Sequence, residues 1–128
     1  MKVLLDTHIL IWMLQDSPSL SNDAREILAA QETEMYYSSV SVAEISIKHS
    51  VHSEGMVLSG IEANDVFPKL GCNSLCFTPK HAAMLDSLPL LHRDPFDRML
   101  IAQAKAEGMK IMSHDRHFPQ YGDIVISV

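Results

Sequence analysis

The segment His92–Ala104, HRDPFDRMLIAQA, constrains this chain more than any other stretch. Asp94-Pro95 reads as a helix start: Asp94 suits the cap, and Pro95 suits the first helical position, where no amide donor is needed. Asp97 then falls at the third helical position. At 100° per residue it lies between Leu100, Ile101 and Ala104, inside the apolar stripe rather than on the solvated face. An isolated carboxylate there costs several kcal/mol unless something compensates it, and a metal ion would. The plainer reading is that Asp97 closes a capping box with Asp94, although that box prefers Glu or Gln at this position.

The 128 residues suffice for one domain, spanning 1–128, with a sizeable core. Nothing approaches 18 consecutive apolar residues and the N-terminus lacks a signal-peptide layout, so a soluble cytoplasmic chain with no membrane role is expected. Cys72 and Cys76 alone imply no disulfide framework. A net charge of −6 argues against nonspecific coating of nucleic acid. Yet Arg93, Arg98, Lys105, Lys110 and Arg116 cluster in the C-terminal third, offset there by Asp94, Asp97, Glu107 and Asp115. A metal-filled acidic pocket would change the local sign, so charge neither excludes nor indicates an RNA substrate.

Lys2–Leu5 reads as a short buried strand ended by Asp6-Thr7, and His8–Leu14 as a buried first helix stopped before Ser17-Pro18. Ser19 or Ser21 suits the cap of a second helix reaching about Gln31. Met35–Ser39 is a strand candidate, and Ser41–His49 a third helix opened by the capping-box match Ser41-x-x-Glu44. A weaker helix runs from about Gly60 to Leu70, then a strand over Asn73–Phe77 and a short helix over Lys80–Asp86. Leu88–Asp94 links to the helix of the opening segment, which stops at Gly108. Lys110–Ser113 and Ile124–Val128 close the set as strands around a loop, His114–Gly122. The alternation predicts an α/β fold with a parallel sheet of about four to five strands covered by helices on both faces.

In such open sheets a site lies beyond the carboxyl ends of the strands. Asp6 ends the first strand and Asp115 follows the strand Lys110–Ser113, so both point into one crevice. Asp97 enters it if its helix start abuts that edge, and Glu44 supplies a fourth acid. Hard cations such as Mg²⁺ or Mn²⁺ take oxygen ligands of this kind, whereas four uncompensated carboxylates would raise one another's pKa values. Each residue also has a plain reading. Asp6 suits a polar strand end or helix cap, Asp115 a turn, and Thr7 a cap or the holder of a metal-bound water. Glu44 suits its capping box or an i, i+4 pair with Lys48.

Taken together, the residues resemble a known family. Val3-Leu4-Leu5-Asp6-Thr7, Glu44 on its helix, Asp97 in an Asp-x-x-Leu-Ile-Ala context and Ser113-His114-Asp115-x-x-Phe118 look like PIN-domain ribonucleases. HRDPFDRMLIAQA is close to the form found in VapC-type toxins of bacterial toxin–antitoxin pairs. The resemblance covers essentially the whole chain and implies a PIN-like three-layer fold. It implies Asp6, Glu44, Asp97 and Asp115 as the catalytic and metal-binding quartet, with Asp94 as the helix cap. His114 departs from the family, which commonly has a small or basic residue before the last Asp.

The same resemblance implies a metal-dependent endoribonuclease using Mg²⁺ or Mn²⁺, a water nucleophile, and products with 5′-phosphate and 3′-hydroxyl ends. Thr7, Lys48, Arg93, Arg98 and Arg116 are candidates to meet substrate, each equally readable as solvated or structural polarity. It also implies a cognate antitoxin and a homodimer. Trp12 and Met13 suit either a partner-binding face or plain core. The alternatives are a catalytically inactive partner-binding module of the same fold, and a zinc protein using Cys72, Cys76, His114 and His117. No Asp-x-Asp follows the first strand, no G-x-S-x-G elbow occurs, and no phosphate-cradling G-x-x-x-x-G-K appears, which sets aside haloacid-dehalogenase-type phosphatase, Ser-His-Asp catalytic and P-loop nucleotide-binding readings. His92 flanks the opening segment and His114 flanks Asp115; each reads as a substrate contact or, more plainly, as a surface or supporting residue, and neither as a general base.

Overall fold

Val3, Leu4 and Leu5 are fully buried, and the strand they form, β1 (Lys2–Leu5), lies at the centre of the sheet. Burial on both faces is what a strand without polar alternation requires. The computed structural model describes residues 1–128, the side chain of Ser53 excepted. The chain continues through α1 (Thr7–Gln15), α2 (Asn22–Ala29), β2 (Glu34–Ser38), α3 (Ser39–Val51) and α4 (Gly60–Lys69). It ends through β3 (Asn73–Leu75), α5 (Pro79–Met84), α6 (Pro95–Glu107), β4 (Lys110–Ser113) and β5 (Val125–Ser127). Every pairing is parallel, in the order β3-β2-β1-β4-β5.

The pleat sends Val3 and Leu5 to one face and Leu4 to the other. On the first face they pack with Met112 of β4 and with Ile9, Leu10, Ala24, Ala63 and Phe67 from α1, α2 and α4. On the second, Leu4 and Ile111 meet Leu100, Ile101 and Ala104 of α6, and Phe118. The expected α/β fold with helices on both faces is therefore the observed one, with five strands.

Several expected caps form. Ser21 accepts from Ala24 N, Asp94 accepts from Asp97 N at 3.1 Å, and Gly108 ends α6 in the left-handed region at φ 66. The start of α3 differs. β2 runs into the helix with no intervening loop, Ser38 is the cap, and Ser41 and Glu44 fall inside the helix, so the Ser41–Glu44 capping box does not form. β3 is shorter than expected, because the Phe77 amide donates to Ser39 Oγ at 2.9 Å rather than to a ladder.

A buried polar thread ties α3, α5 and α6 together beneath the carboxyl edge. Ser38 Oγ bonds Gln103 Oε1, Gln103 Nε2 stands 3.4 Å from His81 Nδ1, and His81 Nε2 reaches Glu107 at 3.3 Å. Above that edge the chain turns one way from β1 to β2 and the other way at β4 and β5. The crevice beyond β1 and β4 is thus the topological switch point of the sheet.

Candidate metal centre

Leu5 is in register with Met112, so β1 and β4 leave the sheet side by side and deliver Asp6 and Ser113 to the same place. Asp6 stands at the N-cap of α1, yet its carboxylate makes no capping hydrogen bond. It accepts instead from Ser113 Oγ at 2.8 Å. The same hydroxyl oxygen accepts from the Asp115 amide at 3.0 Å, so one serine links both acids. Asp115 Oδ1 accepts from the His117 amide at 2.7 Å, which fixes the carboxylate while leaving Oδ2 facing the crevice.

Glu44 is buried on α3. Its Oε1 lies 2.8 Å from Thr7 Oγ1, which is also 2.8 Å from Ser41 Oγ. A carboxylate only accepts, so Thr7 donates to Glu44 and receives from Ser41. Glu44 Oε2 pairs with Lys48 at 2.6 Å, the i, i+4 arrangement the spacing allows. Lys48 is therefore engaged with an acid of the site.

Asp97 sits at the first turn of α6 with 14% of its side chain exposed. The Asp94 cap takes its amide, while the Asp94 amide approaches His92 Nδ1 at 3.5 Å, so the carboxylate of Asp97 is not consumed by a reciprocal box. His92 Nε2 lies 2.8 Å from Asp97 Oδ2 and 3.5 Å from Asp115 Oδ2. Nε2 is buried yet completes no hydrogen bond of good geometry with the protein.

The electrostatics follow from this crowding. Burial, reinforced by the charges of Asp6, Asp94, Glu44 and Asp115, pushes the Asp97 carboxyl up from 3.8 to about 8. Asp6 is also raised, by burial above all and by Glu44, against the pull of the Ser113 hydrogen bond and the His8 charge. Burial works to lower Lys48, but its hydrogen bond to Glu44 and the charges of Glu44, Asp94 and Asp97 hold it above its ordinary value.

These residues fit a hard divalent cation. Carboxylates forced to share a desolvated crevice need positive charge, and His92 Nε2, beside Asp97 and Asp115 yet without a hydrogen bond of good geometry, adds a nitrogen donor to them. Among the described residues, His92, Asp97 and Asp115 bring ligand atoms within 4.8 Å of one another. Asp6 is joined to them through Ser113, and Glu44 through charge alone.

The zinc alternative is not supported. Cys72 and Cys76 flank β3 at one end of the strand order, Cys72 buried and Cys76 exposed, whereas His114 and His117 follow β4 across two intervening strands. Burial pushes the Cys72 thiol up to about 11, which disfavours the thiolate that zinc needs. Arg93 and Arg116 are exposed, and Arg98 Nη1 approaches the His92 carbonyl at 3.5 Å. Trp12 is half-buried. It packs on the core, as one of its two readings holds, and also lines a cavity with Asp6 and Asp115.

The contacts of three residues of the site escape a linear reading. His92 could be found only as a polar residue just before the helix cap; Ser113 and Ser41 only as small polar residues at a strand end and on an apolar helix.

A family model described as PIN domain matches residues 3–124. No curated protein matches the sequence. Among solved structures the chain is similar to one in VapBC2 from Rickettsia felis, determined bound to a promoter DNA fragment (TM-score 0.71, 19% identity, 100% of this chain and 98% of that one). It is also similar to chains in a toxin–antitoxin complex from Klebsiella pneumoniae (0.65, 16%, 98% and 96%) and in FitAcB from Neisseria gonorrhoeae (0.60, 19%, 98% and 96%). At these identities the likeness is one of fold.

Proposed function

The chain belongs to the PIN domain family, and on that premise we propose that it is a divalent-metal-dependent endoribonuclease, the VapC-type toxin of a type II toxin–antitoxin pair. The observation that supports the reading best is that Asp6, Asp97, Asp115 and Glu44 lie near one another at the switch point of the sheet: Asp97 and Asp115 meet through His92, Asp6 is joined to Asp115 through Ser113, and Glu44 bears on Asp97 and Asp6 by charge. They arrive from β1, α6, the turn after β4 and α3, and their charges act on one another. Intact acids at all four positions speak against an inactive module.

Asp6, Asp97, Asp115 and Glu44 would hold Mg²⁺ or Mn²⁺. When bound, the cation supplies an activated water and neutralises charge developing at phosphorus. The remaining work falls to the chain itself. Ser113 sets Asp6 and the Asp115 turn at a fixed separation, and Thr7 and Lys48 hold Glu44. His92 presents Nε2 to Asp97 and Asp115. Of the basic candidates, Arg93 and Arg116 make no ion pair among the described residues and suit the steering of phosphates; Lys48 acts through Glu44.

An antitoxin chain and a homodimer belong to the same reading. Support for the antitoxin is that the similar folds come from VapBC2, FitAcB and a toxin–antitoxin complex. No helix is long and apolar enough to cross a membrane; a cytoplasmic location belongs to the same reading as the RNA target.

The test is cleavage of end-labelled total cellular RNA by the protein and by Asp97→Asn, in Mg²⁺, Mn²⁺ or EDTA. The reading predicts discrete fragments that require both metal and Asp97. Equal cleavage by both proteins would remove Asp97 from the site; no cleavage by folded, partner-free protein would favour the inactive module.

A further inference from the structure

A cavity of about 240 Å³ opens beside the acids, lined by Asp6, His8, Trp12, His114 and Asp115. Its rim is aromatic. His8 and Trp12 lie four residues apart on α1, with ring centroids 6.2 Å apart and planes inclined at 51°. His114, from the turn after β4, meets Trp12 edge-on at 5.3 Å and 65°. Core packing behind Trp12 and the bond between His114 Nδ1 and the Val128 carbonyl fix these two rings. The volume falls below the ~300–1,000 Å³ of drug-sized sites, which suits one planar ring system. The two acids at its base disfavour an anionic occupant but accept an uncharged ring whose attached phosphate meets a cation at Asp6 and Asp115.

We propose that this cavity is a nucleobase subsite, receiving one unstacked base of a single-stranded RNA next to the phosphodiester that is cut. The inference rests on the ribonuclease reading above. Stacking on Trp12 supplies affinity with little sequence demand, while His8 and His114 stand where they meet the edge of the base. A paired base cannot enter, so loops and single strands are the substrates this geometry selects.

Trp12 is the only tryptophan of the chain, so its fluorescence reports on the cavity directly. The experiment titrates Asp97→Asn, in Mg²⁺, with a single-stranded RNA octamer and with a ribose-phosphate octamer lacking bases. RNA cleavage by wild-type protein is measured in parallel. The base-bearing octamer should quench Trp12 and bind about tenfold more tightly than the abasic one. His114→Ala, an exposed change, should weaken the quenching octamer at least threefold and raise KM for cleavage with kcat little altered. Equal binding of both octamers, or wild-type cleavage without any quenching, overturns the subsite and leaves the nuclease standing. Absence of both cleavage and quenching overturns both. Shielding of Trp12 from acrylamide by a copurifying protein but not by RNA gives the cavity to a protein partner instead.

Discussion

His92 Nε2 stands 2.8 Å from Asp97 Oδ2 and 3.5 Å from Asp115 Oδ2, so one imidazole spans the start of α6 and the turn after β4. The contact brings two acids of different chain segments to one point, and its consequences are measurable through Asp97.

Folding raises the Asp97 carboxyl from 3.8 to about 8, chiefly by burial and then by its acidic neighbours. Between those values the folded state holds a proton that the unfolded state has released, so stability is greatest below about pH 4 for this group and declines as pH rises towards 8. Asp6 acts in the same direction. Thermal melts in EDTA should therefore show a falling midpoint from pH 5 to 8, and Asp97→Asn should flatten part of the fall. Mn²⁺ should raise the wild-type midpoint most at the alkaline end, because it binds the ionised form. A wild-type midpoint that rises with pH in EDTA would contradict the assignment.

Thr7 donates to Glu44 inside the protein, where Glu44 has Lys48 as its other partner. Thr7→Val keeps the shape of the side chain and removes the donor. It should cost about 1–3 kcal/mol, the penalty for a buried acceptor left unmade, read by urea denaturation. A loss below about 0.5 kcal/mol would show that Glu44 finds water or another donor without cost.

Gln103 is fully buried and bonds Ser38 on one side and approaches His81 on the other. Gln103→Leu preserves volume but leaves the buried Ser38 hydroxyl without its acceptor, while His81 Nδ1 keeps the Thr78 amide, and it should likewise destabilise by about 1–3 kcal/mol. Because Ser38 caps α3, hydrogen exchange should rise in the first turn of α3 as well as in α5. Exchange confined to α6 would show that the thread does not couple these helices.

How much of this was legible in the sequence depends on whether the determining contacts are local. β1 and β4 stand out as apolar runs ending in polar residues, and α6 carries its start in Asp94-Pro95 and its stop in Gly108, all within a few residues. The opening of α3 differs from its local signal, since Ser41-x-x-Glu44 matches a capping box while the true cap, Ser38, is set by where β2 leaves the sheet. Asp6 and Asp115 stand out at strand ends and Asp97 as an acid within an apolar stripe, whereas Glu44 reads by itself as a helix-capping residue or the partner of Lys48. His92 stands out only as a residue flanking the acids; its meeting with Asp115 joins segments that only the tertiary fold brings together. Lys48 offered two readings, phosphate contact and the i, i+4 pair; the pair formed because Glu44 is buried and needs a cation.

The most direct measurement is the chemistry of the cut ends. With His92, His114 and His117 all near the acids, the same crevice offers a rival route in which histidines act as acid and base and the ribose 2′-hydroxyl attacks. Fragments from wild-type cleavage in Mn²⁺ should be captured by 5′-phosphate-dependent ligation without prior treatment and should carry 3′-hydroxyl ends. Fragments bearing 2′,3′-cyclic phosphates and 5′-hydroxyls, formed equally in EDTA, would contradict metal-dependent hydrolysis.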